Sequence, residues 1–83
     1  MTLLYFAWVR QKIGKSEEQF DLPADVKTVG ALAERLREQG AGYADAFSDL
    51  ARLRAAVNQE HVSLDASVAA GDEVAFFPPV TGG

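Results

Sequence analysis

The chain has 83 residues, 48% hydrophobic and 24% charged, with 8 Lys plus Arg against 12 Asp plus Glu for a net charge of −4. That length fits one domain with a modest core, and the composition is that of a globular chain, not a disordered one. The acidic balance argues against nucleic acid or an anionic membrane as partner, since both need basic patches; the absence of cysteine excludes disulfides, thiolate metal sites and cysteine nucleophiles.

No apolar run approaches the ~18 residues that span a membrane, and the apolar start meets Arg10 and Lys12 too soon for a secretory leader. A cytoplasmic location is the expectation. Residues 2–10 are rich in aromatic and aliphatic types and read as a first strand. Residues 11–16, with Gly14 among them, read as a turn, and residues 17–22 return as a second strand that Pro23-Ala24-Asp25 breaks. Thr28 offers an N-cap. Val29, Leu32, Ala33 and Leu36 then fall at i, i+3, i+4 and i+7, one apolar stripe of a helix that Gly40 and Gly42 end. Tyr43, Phe47 and Leu50 suggest a short second helix closing over the core. Residues 53–58 read as a strand, Gln59-Glu60 as a turn, residues 61–64 as its return, 65–71 as a loop and 72–77 as the last strand.

This order predicts an α+β fold with a mixed sheet of about five strands, one main helix and a short second helix. Pro78 and Pro79 fix φ and remove two backbone donors, so the ladder should stop there. The domain is therefore expected over residues 1–79. Residues 80–83, Val80, Thr81, Gly82 and Gly83, would form an extended arm reaching on the order of 13 Å at ~3.3 Å per residue.

Alternation along the strands sets which side chains face the helix. With Arg10 outward, Leu3, Tyr5, Ala7 and Val9 point inward while Phe6 and Trp8 point out. With Glu73 outward, Val74 and Phe76 go in and Phe77 goes out. One helix covers only one face of a sheet. Three aromatics on the other face suggest a partner, the alternatives being a shifted register or a second small layer over that face.

Chemistry of the chain's own is hard to find. There is no phosphate-binding loop and no H-E-x-x-H motif. The single His61 has no metal companion and reads as a surface imidazole beside a hairpin. Glu17, Glu18, Asp45, Asp49, Asp72 and Glu73 read as scattered solvated charge, not as an acid–base pair. The chain is thus expected to have no active site, metal or cofactor of its own. Its most distinctive reactive group is the terminal carboxyl of Gly83, an anion at neutral pH with an ordinary pKa of ~3.3–3.7 and hence a poor electrophile until activated.

Three runs carry a resemblance: Leu4-Tyr5-Phe6-Ala7-Trp8-Val9-Arg10, Ala55-Ala56-Val57-Asn58-Gln59, and the stretch from Gly71-Asp72-Glu73 through Phe76-Phe77-Pro78-Pro79-Val80-Thr81-Gly82-Gly83. They resemble the ubiquitin-like β-grasp sulfur carriers, and within these the small subunits of molybdopterin synthases. The resemblance implies that a ubiquitin-activating-like adenylyltransferase uses ATP to convert Gly83 to an acyl-adenylate. A sulfur donor then makes it a thiocarboxylate. The tail, Val80 to Gly83, would enter the synthase large subunit and give sulfur to cyclic pyranopterin monophosphate, in a complex of two small and two large subunits. By the same resemblance Phe6 and Phe77 belong to the partner surface with His61 at its rim; Trp8, Arg10, Pro78 and Pro79 complete the expected interface. The alternatives are a thiazole-type sulfur carrier, although those are usually shorter and lack the Phe-Phe-Pro-Pro-Val run, a protein-conjugating modifier, and an adaptor without tail chemistry.

Overall fold

The computed structural model describes residues 1–79. Its centre is a parallel pair: β1 (Thr2–Tyr5) lies beside β5 (Glu73–Phe77), with Leu3 opposite Val74 and Tyr5 opposite Phe76. The remaining strands, β2 (Glu17–Gln19), β3 (Arg54–Val57) and β4 (Glu60–Val62), pair antiparallel to give the order β2-β1-β5-β3-β4. The mixed five-stranded sheet expected from the sequence is present.

The first strand is shorter than its composition suggests. It ends at Tyr5, and residues 7–10 belong instead to helix α1 (Ala7–Ile13). Ala7 has a φ of +53°, a left-handed conformation uncommon outside glycine, and there the chain leaves the sheet. The Phe6 carbonyl then accepts from the N–H groups of Val9 and Arg10 at 3.1 and 3.4 Å. Gly14, at φ +88°, closes the helix by donating its N–H to the Arg10 carbonyl at 2.7 Å. Strand alternation therefore stops at residue 6. Val9 is buried, but from a helix, and Ala7, expected inside, is exposed.

Helix α2 (Val29–Leu36) follows the expected pattern. The Thr28 hydroxyl accepts from the Ala31 N–H at 3.1 Å, and Val29, Leu32, Ala33 and Leu36 are fully buried. After a 3₁₀ turn (Arg37–Gln39) comes α3 (Ala41–Ala46), and a second 3₁₀ turn (Leu50–Arg52) leads into β3. The core joins Leu3, Tyr5, Val74 and Phe76 from the sheet to the α2 stripe and to Phe47, whose ring meets Phe76 edge-on at 5.0 Å. The β3–β4 hairpin turns at Asn58-Gln59, one residue earlier than expected. Both residues are left-handed (φ +51° and +70°), which suits a two-residue loop between twisted strands.

One glycine is a spacer between helices. A Cβ on Gly42 of α3 would collide with the Lys12 carbonyl oxygen of α1. Because that neighbour is main chain, the helices would have to separate. Gly42→Ala is therefore expected to lower unfolding free energy by about 1–3 kcal/mol, despite alanine's better helix propensity, and urea denaturation would measure it.

Candidate functional site

The helices and the core cluster lie on one face of the sheet. The opposite face presents Thr2 and Leu4 from β1, Glu73, Ala75 and Phe77 from β5, Arg54 and Ala56 from β3, and His61 from β4. Leu4, Ala75 and Phe77 are half-buried and take no part in the core cluster or its packed margin, and Ala56 among them is buried at 7% exposure by its sheet neighbours. They form an apolar strip that no element among the described residues covers.

The strip ends in two aromatics. Phe6 continues β1 in extended conformation, donates its N–H to the Phe76 carbonyl at 3.1 Å, and is the one large hydrophobic exposed among the described residues, at 50%. Phe77 is half-buried, and the His61 ring lies 5.2 Å from its ring. Pro78 and Pro79 follow directly, so the chain leaves the sheet beside this cluster. Phe6, Phe77, His61, Pro78 and Pro79 thus occupy one end of one face. Val80, Thr81, Gly82 and Gly83 lie outside the described residues.

Trp8 does not join them. Because α1 begins at Ala7, the indole packs half-buried against the core and lines a crevice with Lys12, Asp45, Asp49 and Arg52. Arg10 sits exposed on the same helix, so it is a helical position and not the parity marker of a strand. The error has a local cause: Tyr-Phe-Ala-Trp-Val has strand composition, but one left-handed residue redirects it.

A second cluster is not foreshadowed by any motif. Glu18, read as solvated charge, stands on β2 opposite the buried Leu3 and points toward the covered side, its side chain 17% exposed. One carboxylate oxygen accepts from the hydroxyls of Tyr5 and Tyr43, both at 2.7 Å, and the other pairs with Lys15 at 3.1 Å. It ties β1, β2 and α3 together. The available signal was the alternation itself, which puts Glu18 and Leu3 on one side. Burial works against the ionised Glu18, but the two hydroxyls and the Lys15 ammonium outweigh it and hold its carboxyl below the ordinary 4.5. Burial, then the bond to Glu18, pushes the Tyr5 hydroxyl well above its ordinary 10.0.

Since the folded value for Glu18 is the lower one, the unfolded chain takes up the proton first. The stabilisation is complete above pH 4.5 and is lost as pH falls through the folded value. Glu18→Gln is expected to cost about 1.5–3 kcal/mol at neutral pH, the range for hydrogen bonds to a charged group. The gap to wild type should close in acid, and denaturation curves at neutral and acid pH that differ by the same amount would contradict this account.

Among the described residues no three His, Asp or Glu side chains are grouped to hold a metal ion, and no helix is long and apolar enough to cross a membrane. A molybdopterin synthase sulfur carrier subunit from Escherichia coli (strain K12) is 47% identical over 81 residues, covering 98% of this chain and 96% of its own. The solved structure of a putative molybdopterin converting factor, subunit 1, from Pyrococcus furiosus matches with a TM-score of 0.73 at 32% identity over 95% of each chain. That of SAMP1 from Haloferax volcanii matches with a TM-score of 0.72 at 29% identity over 100% of this chain and 98% of that one. The ThiS family profile matches residues 3–83; the chain belongs to the ThiS family, on the ubiquitin-like β-grasp fold.

Proposed function

We propose that the chain is the sulfur carrier subunit of a molybdopterin synthase and acts in molybdenum cofactor biosynthesis. The observation that carries this is the end-to-end identity to the Escherichia coli relative of that name. In this reading a ubiquitin-activating-like adenylyltransferase attaches AMP from ATP to the Gly83 carboxylate, releasing pyrophosphate. A sulfur donor displaces AMP and leaves a thiocarboxylate. The loaded tail then enters the large subunit and gives its sulfur to cyclic pyranopterin monophosphate.

The chemistry of the chain supports this division of labour. An ionised carboxylate repels a sulfur nucleophile, so activation must come first. Gly82 and Gly83 carry no side chains to obstruct a narrow channel. The apolar strip ending in Phe6 and Phe77 would dock against the large subunit, with His61 at the rim and Pro78 and Pro79 stiffening the exit. Trp8 and Arg10 would contribute, if at all, from α1 and not from the sheet face.

Intact mass spectrometry of the chain from sulfur-replete cells tests the reading. A mass gain equal to the exchange of one oxygen for sulfur, located on Gly83, is the expected result; its absence when the activating enzyme is present would count against it. A modifier role is the second reading. It is favoured by the likeness to SAMP1 and to the small archaeal modifier protein 1 of Haloferax volcanii, whose solved structure matches with a TM-score of 0.67. Isopeptide adducts of Gly83 on target lysines would select it.

A further inference from the structure

We infer that Arg54 is a charged anchor of the docking face and that the large subunit seated there presents a carboxylate to it. This rests on the sulfur carrier reading and adds the chemistry of the opposing surface. Arg54 opens β3 directly opposite Phe77. Its Nη1 donates to the carbonyls of Ala51 at 3.2 Å and Leu53 at 3.1 Å. Those bonds tether the guanidinium at the aromatic end of the strip, while Nε and Nη2 have no acceptor among the described residues.

The charge is conspicuous in its surroundings. Acidic residues outnumber basic ones 12 to 8; among the described residues Lys12, Lys15, Arg35 and Arg37 sit in ion pairs while Arg10, Lys27, Arg52 and Arg54 do not, and of these four only Arg54 stands on the outward face of the sheet. Arg54, on the uncovered face, has no carboxylate within ion-pair distance among the described residues. A guanidinium stays protonated at any physiological pH. A partner that covers Phe77 must therefore strip water from a permanent cation, which is strongly unfavourable unless the partner supplies a counter-charge. The free Nε–Nη2 edge matches a carboxylate through two parallel bonds. Because the side chain is already tethered, little freedom is lost when that bond forms.

The test is calorimetric titration of the full chain with its cognate large subunit at low and high salt, with thermal melting as a folding check. Arg54→Gln is expected to weaken binding about thirtyfold and Arg54→Glu about three-hundredfold at low salt, the lower part of the range for losing one side of a desolvated pair. Arg54→Lys should recover only part of the loss, because an ammonium cannot form the paired bonds. All three variants should melt with wild type, since Arg54 is exposed and outside the core. Wild-type affinity for Arg54→Glu at both salt concentrations would overturn the inference alone. Failure of the wild-type chain to bind the large subunit would overturn the sulfur carrier reading and this inference with it.

Discussion

Deleting Gly83 is expected to abolish sulfur transfer to cyclic pyranopterin monophosphate while leaving the domain folded and large-subunit binding largely intact. The deletion moves the terminal carboxyl back to Gly82 and shortens the reach by ~3.3 Å. Even a ~1 Å misplacement of a reacting group can cost ~10²-fold in rate, so a carboxyl on Gly82 should not substitute. Reconstitution with the activating enzyme, ATP, a sulfur source and the large subunit would measure molybdopterin formed. Intact activity would remove the terminal glycine from the chemistry. Folding should be indifferent, since among the described residues the core cluster holds none beyond Phe76.

Phe77→Ala is expected to weaken association with the large subunit on the order of 100-fold, as loss of a central aromatic anchor typically does. The melting temperature should move by only a few degrees, the scale of about 1 kcal/mol in a domain of this size. Phe77 is half-buried beside His61 but outside the core cluster, so its removal exposes the strip without opening the interior. Alanine is a cleaner change than arginine, which would stand opposite Arg54 in register and add like-charge repulsion to the fold. Unchanged affinity would move the interface away from this face. A large drop in melting temperature would instead make Phe77 a structural residue.

Much of this architecture is written in spacing. The α2 stripe and its Thr28 cap, the inward run of Val74 and Phe76, and the outward Phe77 all follow from period and parity, because each element buries one side, whereas the outward Phe6 rests on a parity taken from Arg10, which lies beyond the strand. The helix α1 is the exception. Its middle looks like strand, but its end does not: Val9 and Ile13 stand four apart, and Gly14 follows Arg10 and Lys12, the chemistry of a helix stop. Reading Gly14 as a hairpin turn hides that pattern and carries Trp8 to the wrong side. Glu18 escapes for a different reason. No composition rule marks a carboxylate whose partners, Tyr5 and Tyr43, lie 13 residues before and 25 after it and meet only once three elements pack. The exit beside Phe77 is visible in the proline pair, whereas the tethering of Arg54 depends on carbonyls that a sequence cannot place.

The central pairing of β1 with β5 has a consequence for synthesis. Residues about seventy positions apart form the middle of the sheet, so loop closure on that scale must precede the most important ladder. A nascent chain still missing residues 73–77 has β1 paired only with β2 and β3 only with β4, two strand pairs with nothing to join them into one sheet. The fold therefore works as a completeness check: a product truncated before β5 has no joined sheet on which anything could dock.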